Sequence, residues 1–374
     1  MMKRNLLIKA LAVTTCSAIG LTLAACGGSS SNAADTKAAT ATSAKDLGGM
    51  TALVKAAKAE GTITLIACPD DWANWGNIIK LFESKYGIKV NSTNPEASSA
   101  EEIKAAKDLK GQKNAPDVFD LGSSVATTNT SYYAPYKVSN WSQIPTANKE
   151  TTGLYVNDYT GVISIGYDSS KVSAPKSLND LLKSQYKGKV AINGDPTQAG
   201  AAFAAVGWAT LQEGGSLNDF SKGINFFKKL KAAGNFLTVG ATSSTIASGE
   251  TPVVIDWNYL NVAAAKQNSN YKTVVFKKNA YGAYYNQAIN KNAPHPAAAR
   301  LWEEFVYSSQ VQNQFLKSGA LPVLAKSMEK DKTIDASALS KAGGLPDPIN
   351  LASNKQTDAA NTLLSQQWSA IAAS

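Results

Sequence analysis

The chain has 374 residues, of which 44% are hydrophobic and 17% are charged, and its formal net charge is +9 at pH 7. This length and apolar content are sufficient for a large buried core divided between two lobes. The lysines are scattered along predicted helices and form no basic stripe interleaved with aromatic residues, which argues against nucleic acid as a partner. After the first segment, no apolar run is long enough for a transmembrane helix.

The first segment, residues 1–25, predicts export across a membrane. It opens with a short basic stretch, continues as an apolar run too short to span a bilayer, and ends in LAA directly before Cys26. This order is typical of a bacterial lipoprotein signal peptide, in which the chain is cut before Cys26 and that cysteine carries lipid. The alternative is an ordinary secretion signal that is cut after the two alanines. We therefore predict an extracytoplasmic protein that a lipid anchor holds at the cell membrane.

Residues 26–46 are predicted to be a flexible linker, because they are rich in Gly, Ser, Ala and Thr and poor in large apolar side chains. The folded body is then expected to begin at Leu47. It retains Cys68 alone, so we expect no disulfide there and predict a small buried thiol. A single cysteine cannot form a zinc cluster, and we predict neither a metal nor a cofactor. His295 lies just ahead of a predicted helix and is interpreted as a surface or capping residue.

Strands and helices alternate in the first half of the body. Apolar runs predict three strands, and the spacing of apolar side chains between them predicts two helices. Ser98 and Ser99 each precede a Glu by three residues, which is the sequence signature of a helix N-terminus. The predicted elements are a strand at 62–67, a helix from Trp75 whose indole faces the core, a strand at 88–91, a helix from Ser98 and a strand at 117–122. This alternation is typical of a parallel sheet with helices packed on it.

The same pattern returns in the second half of the body. The predicted elements are extended segments at 161–168, 188–194, 251–257, 271–278 and 283–290, and helices at 177–186, 199–215, 217–234 and 295–319. Two α/β units joined by extended crossings predict two lobes with a cleft between them. We assign residues 47–162 and 284–374 to lobe 1 and residues 163–283 to lobe 2. Each lobe is expected to contain a mainly parallel sheet with helices on both faces.

No catalytic signature accompanies this pattern. The sequence lacks a nucleophile elbow, a dinucleotide-binding glycine motif, a phosphate-binding loop and the paired histidines of zinc proteases. An enzyme is therefore a less favoured interpretation of this chain than a ligand-binding protein. In open α/β sheets, ligands bind beyond the carboxyl ends of the strands. This rule selects five segments, which are PDDW at 69–72, NPEASS at 94–99, GSS at 122–124, GDPTQAGA at 194–201 and DWNY at 256–259.

Several of these residues have a structural as well as a binding interpretation. Asp71 either caps the helix that follows or contacts a ligand. Ser98–Ser99 cap a helix whose free N–H groups also attract an anion. Gln198–Gly200 form either a turn or a second helix start at which an anion binds. Asp256–Trp257 end an apolar strand, where a charge and an indole fit a cleft better than a core.

Several stretches, in this order, resemble the extracellular solute-binding proteins of bacterial ABC importers. The resemblance is closest to the group that contains ferric-ion-binding and spermidine/putrescine-binding proteins. The stretches are LAAC at 23–26 and the segments 61–90, 180–203, 246–259 and 292–315. The resemblance implies a two-lobe periplasmic-binding-protein type II fold with two crossing strands as a hinge. It also implies a cleft that closes over one small solute, which is then delivered to a membrane permease.

The same resemblance bears on the solute. Where ferric-binding relatives have a His after the first strand, this chain has Asp70 nearby, and where they have a tandem Tyr pair, DWNY offers only Tyr259. Tyr284 and Tyr285 are adjacent, but they lie on the second predicted crossing strand. IDWN is instead similar to the polyamine-binding members, in which a tryptophan packs against the alkyl amine. This match implies that Trp257 contacts the ligand.

The charges near the predicted cleft leave the cargo open between an amine and a zwitterion. Acidic side chains supply negative charge, and Trp72 supplies an aromatic face for a cation. The acidic residues are Asp70, Asp71, Glu96, Asp120 and Asp256. The two helix starts offer anion-binding sites. A pure cation would use the acids alone, whereas an aminophosphonate or an amino-acid-like compound would use both kinds of group.

We therefore predict the non-enzymatic substrate-binding subunit of an ABC importer, a monomer that delivers a small polyamine-like or zwitterionic solute to a permease. A ferric-ion-binding transport protein is the first alternative. A secreted α/β hydrolase and a surface scaffold lipoprotein are alternatives of other classes. Replacing Trp72 or Asp256 by Ala is expected to weaken binding with little loss of stability. The predicted ligand-binding residues are Asp70, Asp71, Trp72, Glu96, Ser98, Ser99, Ser123, Ser124, Thr197, Gln198, Gly200, Asp256, Trp257, Tyr259 and Tyr284.

Overall fold

The structure is a computed structural model that describes residues 36–372, except residues 343, 345 and 347 and the side chain of Ser124. The predicted signal peptide, Cys26 and the first part of the predicted linker lie outside these residues. The described strands are β1 Thr62–Ile66, β2 Lys89–Thr93, β3 Val118–Gly122, β4 Tyr133–Ala134, β5 Val156–Asp168, β6 Val190–Ile192, β7 Val253–Trp257, β8 Tyr271–Val274, β9 Gly282–Asn290 and β10 Leu321–Pro322.

The helices largely follow the predicted order. They are α1 Met50–Glu60, α2 Trp75–Tyr86, α3 Ser99–Asp108, α4 Ser123–Thr128, α5 Gly200–Gln212, α6 Ser221–Ala232, α7 Ser243–Ser248, α8 Asn258–Gln267, α9 Pro296–Val306, α10 Ser309–Ser318, α11 Ala325–Lys330, α12 Ala336–Lys341, α13 Asn354–Gln367 and α14 Ser369–Ala372. The helix predicted at 177–186 is instead two short 3-10 turns. The one predicted at 295–319 is two helices, because Ser308 starts the second by accepting a hydrogen bond from Val311 N. Among the described residues, no helix is long and apolar enough to cross a bilayer.

Local sequence explains how the first site segments are shaped. The predicted capping box forms at the start of α3, where the Glu101 carboxylate accepts a hydrogen bond from Ser98 N at 2.7 Å. Between β1 and α2, Ala67, Ala73 and Asn74 have φ angles of 59°, 44° and 73°. Left-handed backbone at these non-glycine residues marks a tightly constrained loop. This loop carries the PDDW segment to the end of the sheet.

One strand, β5, runs through both lobes. Its first half pairs with β9 and its second half pairs with β7 and β8, so the lobes meet along β5 and β9. Gly161 on β5 faces Ala283 at this meeting point. A Cβ atom on Gly161 would lie 2.6 Å from Cε1 of Tyr259 and 2.9 Å from Cε3 of Trp257. Only glycine therefore lets the two aromatic rings approach the crossing strand this closely.

The two-lobe α/β architecture is as predicted, but the strand pairing is less parallel than predicted. Parallel pairs join β1 to β2 and β6 to β7. The pairs that β5 and β9 form with each other and with β3 and β7 are antiparallel. Crossing strands lead the chain into the second lobe and back again, so they run in opposite directions. An alternation of strands and helices along the sequence does not reveal this reversal.

Residues 36–46, which belong to the predicted linker, are folded against the first lobe. Three alanines of this segment are buried. The buried guanidinium of Arg300 donates from Nη2 to Ala39 O at 2.7 Å and from Nε to Ala41 O at 2.8 Å. The folded body therefore begins before the predicted start at Leu47. Small side chains and backbone carbonyls make these contacts, so the absence of large apolar residues did not prevent folding.

Two side chains that were predicted to be buried are buried. Trp75 stacks on Trp302 in the core with 5.9 Å between ring centroids. Cys68 is buried and has no disulfide partner among the described residues. His295 lies directly ahead of α9 as predicted, but it is neither an exposed residue nor a side-chain cap, because its Nδ1 lies 2.8 Å from Oδ2 of the buried Asp117. This pairing makes His295 part of the packing between β3 and α9.

The C-terminal helices α13 and α14 pack against α6 of the second lobe, although their residues fall in the range predicted for the first. Trp368 is buried against Phe227 and Phe236, with ring centroids at 5.4 and 6.1 Å. Upstream of α13, Asn350 bridges to Tyr281. The chain therefore passes between the lobes a third time near residue 350. The predicted lobe boundaries stay predictions.

Candidate functional site

Two adjoining cavities lie where the lobes meet, and Tyr285 on β9 lines both of them. The first, named the acidic cavity, has a volume of about 200 Å³ and is lined by Ala67, Pro69, Trp72, Pro95, Glu96, Ala97, Ser98, Ser99, Glu102, Asp120 and Tyr285. The second, named the interlobe cavity, has a volume of about 320 Å³, and its walls include Ser123, Gly200, Trp257, Tyr284 and Asn354. A hydrogen bond of 3.0 Å from Gly122 N to Ser99 Oγ joins a wall of one cavity to a wall of the other.

A cluster of aromatic side chains packs beside the acidic cavity and includes residues of both crossing strands. Trp72, in the loop after β1, donates its indole N–H to the Tyr159 hydroxyl at 2.7 Å. Its ring meets the rings of Tyr259 and Tyr285 edge-on, with centroids at 5.6 and 5.8 Å. Tyr159 stacks on Tyr285 at 5.3 Å. Since Trp72 comes from the first lobe and Tyr259 from the second, this cluster joins the lobes at the base of the cleft and offers aromatic faces to a cation.

Buried carboxyl groups lie next to these rings. Glu102 on α3 is 0% exposed, and its Oε2 accepts a hydrogen bond from Asp120 N at 3.0 Å. Its Oε1 has no hydrogen-bond partner among the described residues. The Asp120 carboxylate accepts hydrogen bonds from Tyr159 at 3.2 Å and from Gln287 at 3.1 Å. Gln287 also donates to Asp158 at 3.0 Å, so three acids belong to one buried cluster.

Burial dominates the electrostatics of this cluster. It raises the pKa of Glu102 and that of Asp158 well above the ordinary range of a carboxyl group, and the nearby Asp120 adds to the rise. Burial also raises the pKa of Asp120 to about 7, although hydrogen bonds lower it. Among the described residues, no Lys, Arg or His forms an ion pair with any of the three acids. A bound cation would favour their ionised forms, because an opposite charge stabilises a carboxylate.

The interlobe cavity is lined by groups of different chemistry. No Asp or Glu is present among its described lining residues. Helix α5 begins at Gly200 in the cavity wall, with no acidic residue in its first turn and no side-chain cap. Trp257 is 3% exposed and lines the cavity, and its indole N–H has no hydrogen-bond partner in the described part of the chain. Among the residues described, this cavity therefore offers an unpartnered indole N–H and an uncapped helix N-terminus, whereas the first offers carboxyl groups.

The structure brings eight of the predicted site residues to these cavities. Four line the acidic cavity and four line the interlobe cavity. They are Trp72, Glu96, Ser98 and Ser99 in the first, and Ser123, Gly200, Trp257 and Tyr284 in the second. Their part in binding a solute stays a prediction. Ser98 also performs its structural role as the cap of α3.

Six other predicted residues line neither cavity, namely Asp70, Asp71, Thr197, Gln198, Asp256 and Tyr259. Asp71 is exposed and does not cap the following helix, because the residue before α2 is Asn74. Thr197 donates from its backbone N and from its hydroxyl to the Asp195 carboxylate, each at 2.7 Å. These bonds are those of a turn, which is the structural interpretation of this segment. Ser124 lies in α4, and its side chain is outside the described part of the structure.

Asp256 and Tyr259 are buried beside the cavities. Asp256 accepts hydrogen bonds from Trp257 N at 2.7 Å and from the Asn193 amide at 3.0 Å. Burial raises the pKa of Asp256 to about 7 despite these two bonds. The hydroxyl of Tyr259 has no hydrogen-bond partner among the described residues. Asp256 therefore has a structural role of its own, since it holds the backbone that positions the Trp257 ring.

Sequence reasoning missed three components of this site, which are Glu102, Tyr285 and the segment 351–357. A signal for the first was present, since Glu102 falls on the same side of α3 as the buried Ile103 and Ala106. Tyr285 was noticed only as the neighbour of another tyrosine. Residues within 351–357 line the interlobe cavity through contacts distant in sequence. No local pattern indicates such contacts.

The comparison with known families gives one match. The sequence matches the family model described as bacterial extracellular solute-binding protein from residue 115 to residue 341, which is more than half of the chain. No curated protein matches the sequence. Within the described part of the chain, no group of three or more His, Cys, Asp or Glu side chains is placed to hold a metal ion.

Solved structures with the same fold cover most of this chain. An ABC transporter substrate-binding protein from Bradyrhizobium japonicum is 17% identical over 83% of this chain and 99% of that chain, with a TM-score of 0.64. A spermidine/putrescine ABC transporter substrate-binding protein from Streptococcus pneumoniae is 15% identical, and the match covers 83% of this chain and 99% of that chain with a TM-score of 0.61. A ferric binding protein from Campylobacter jejuni is 17% identical, and the match again covers 83% of this chain and 99% of that chain, with a TM-score of 0.55. At these identities the likeness concerns the fold, and the predicted periplasmic-binding-protein architecture is confirmed.

Proposed function

The chain belongs to the bacterial extracellular solute-binding proteins, and from that premise we propose that it is the substrate-binding subunit of an ABC importer for a small solute with an ammonium group. Membership of an extracellular family means that the chain acts outside the cytoplasm, with a small molecule and an ABC permease as partners. The solute is polyamine-like, or a zwitterion of the aminophosphonate or amino-acid type. The subunit binds it as a monomer and releases it chemically unchanged.

The observation that carries this proposal is the Glu102 carboxyl group in the wall of the acidic cavity. A buried carboxyl oxygen without a hydrogen-bond donor is unfavourable, and a ligand in the adjoining cavity that supplies the missing donor removes this penalty. An ammonium group has three N–H donors and a positive charge. Placed in this cavity, it donates to Glu102 Oε1 and lies near Asp120, while the adjoining alkyl chain packs against Trp72 and Tyr285.

Solute binding is coupled to closure of the lobes about β5 and β9. Trp72 and Glu102 belong to the first lobe, whereas Trp257 belongs to the second. A solute that contacts both lobes binds the closed arrangement more tightly than the open one, and this difference in affinity drives closure. The permease then distinguishes the loaded subunit from the empty one by the relative position of its lobes.

Outside the described residues, Cys26 carries the lipid that holds the subunit at the membrane. Arg300 binds the chain at residues 39 and 41, and the described structure begins at residue 36. The tether between Cys26 and these contacts is then limited to residues 27–38, which span at most roughly 40 Å when fully extended. The body therefore stays within a short distance of the membrane that contains its permease.

Calorimetric titration of the mature chain tests the amine proposal. The probes are putrescine, γ-aminobutyrate, 2-aminoethylphosphonate and ferric citrate. We expect at least one amine to bind, and we expect Glu102→Gln to weaken its binding by roughly tenfold or more, because the variant keeps the shape of the side chain and removes its charge. Thermal unfolding without a probe shows whether the variant is folded.

Glu303→Gln is the matched control for this variant. Glu303 on α9 is 4% exposed, its Oε1 likewise lacks a hydrogen-bond partner among the described residues, and it lines neither cavity. We expect this control to bind the amine as the wild type does. Binding of ferric citrate alone, or an equal loss of amine binding in both variants, would contradict the proposal.

A further inference from the structure

We propose that the interlobe cavity binds the anionic group of the same solute whose ammonium group occupies the acidic cavity, so that the cargo is a short zwitterion and not a polyamine. This inference rests on the proposed function. It assigns the anion to the indole N–H of Trp257 and to the N-termini of α5 and α13. The C-terminal part of the chain thereby becomes part of the binding site.

The first support is the indole N–H of Trp257. This group is a donor only, and it is buried without an acceptor among the described residues. The ring approaches β5 through Cε3 and Cδ2, which lie 2.9 and 3.1 Å from the position of a Cβ atom on Gly161. These two atoms are on the edge of the indole opposite Nε1. The N–H therefore lies on the edge of the ring away from β5, and Trp257 is one of the residues that line the cavity.

The second support is the position of two helix N-termini. Helix α5 has 13 residues and begins at Gly200, and α13 has 14 residues and begins at Asn354. Both residues line the interlobe cavity. Neither helix has an acidic residue in its first turn. The partial positive charge at both ends and the uncapped N–H groups at the start of α5 are therefore available to an anion, whereas at the start of α13 Ser353 Oγ already accepts a hydrogen bond from Gln356 N.

The third support is the difference in charge between the two cavities. The acidic cavity is lined by Glu96, Glu102 and Asp120, whereas the described residues of the interlobe cavity include no acid. A second ammonium group of a polyamine would find no carboxylate among the described residues there, whereas a carboxylate or a phosphonate would accept from the indole N–H and from the free backbone N–H groups. Tyr285 lines both cavities, and the hydrogen bond from Gly122 N to Ser99 Oγ joins their walls, so the two cavities adjoin.

Titration of the mature chain and of Trp257→Phe with 2-aminoethylphosphonate, γ-aminobutyrate and putrescine tests this inference. Phenylalanine keeps an aromatic ring and removes the N–H. We expect a zwitterion to bind the wild type more tightly than putrescine does. We expect Trp257→Phe to weaken zwitterion binding by roughly tenfold, which corresponds to one hydrogen bond to a charged group, and to weaken putrescine binding by less, because putrescine has no anionic group to accept from the indole N–H.

Trp208→Phe is the matched control. Trp208 in α5 is fully buried, its indole N–H also has no hydrogen-bond partner among the described residues, and it lines neither cavity. This variant removes an equivalent buried donor away from the site. We therefore expect it to change the thermal unfolding midpoint without changing the affinity for a zwitterion.

A second variant, Asn354→Asp, separates the role of α13 in binding from its role in folding. A first-turn aspartate stabilises a helix, so the unfolding midpoint without a probe should not fall. The same negative charge repels the anion of the solute, so zwitterion affinity should fall. The anion assignment is overturned, while the proposed function stands, if putrescine binds as tightly as both zwitterions. The same holds if Trp257→Phe lowers the affinity for the zwitterions no more than Trp208→Phe does. If no amine binds, both are overturned.

Discussion

Replacing Asp256 by asparagine separates a structural role of this buried acid from a contact with the solute. Burial raises its pKa from 3.8 to about 7. Because the folded pKa is the higher one, the contribution of Asp256 to stability is fully present below pH 3.8 and is lost as the pH rises through about 7. Asparagine carries no charge at any of these pH values. It keeps both hydrogen bonds once the Asn193 amide turns its oxygen towards it.

The size of the effect follows from the two pKa values. With a folded pKa of about 7 and an unfolded value of 3.8, the ionisation of Asp256 lowers the free energy of unfolding by about 2–3 kcal/mol between pH 5 and pH 8. The free energy of unfolding of the Asp256→Asn variant does not fall in this way, because asparagine does not ionise. We therefore expect the difference in unfolding free energy between Asp256→Asn and the wild type to grow by that amount, in favour of the variant, over this pH range.

Urea unfolding followed by tryptophan fluorescence at pH 5, 6, 7 and 8 measures this difference. A difference that stays constant with pH would refute the reasoning. Titration of the same samples with 2-aminoethylphosphonate then decides between the two roles of Asp256. A structural role leaves the affinity nearly unchanged, whereas a direct contact between Asp256 and the ammonium group means a loss of roughly tenfold or more.

Three further substitutions test the packing around the site. Gly161→Ala should lower the free energy of unfolding by about 1–3 kcal/mol, because its Cβ overlaps Tyr259, and an unchanged urea midpoint would speak against the described contact. Trp368→Ala should lower the free energy of unfolding by about 3–5 kcal/mol. It should also expose residues 350–354 to limited proteolysis, and cleavage there no faster than in the wild type would contradict this expectation. Burial raises the pKa of Glu303 to about 8, so wild-type stability falls as the pH rises from 4.5 towards 8. Glu303→Gln should remove the part of this pH dependence that Glu303 causes. Urea midpoints that fall equally with rising pH in the variant and in the wild type would exclude this role of Glu303.

Local patterns were sufficient wherever one element decides the outcome. The capping box at Ser98 and the inward position of Trp75 follow from helix signals over a few residues, and both are present. The rule that ligands bind beyond strand ends selected Trp72 and Trp257, and both line a cavity. In each case the deciding interactions lie within one helix or at the end of one strand.

Contacts between distant parts of the chain could not be predicted in this way. Arg300 lies 259 positions from Ala41, whose carbonyl it binds, and nothing in the composition of residues 26–46 indicates that partner. Asn354 reaches the interlobe cavity because α13 packs against the second lobe. Glu102 was predictable only in part. The helical periodicity of α3 indicates that its side chain points inward, but acidic side chains ordinarily lie in solvent, so its burial was not expected.

The third passage of the chain between the lobes, near residue 350, has a mechanical consequence. Two strands alone form a hinge that allows both bending and twisting. A third connection at a separate place, anchored at one end by Asn350 and at the other by Trp368, restricts the twist of one lobe against the other. The empty protein then samples fewer relative orientations of its lobes, and less conformational entropy is lost when the cleft closes. Part of the affinity for the solute therefore comes from restricting the empty state.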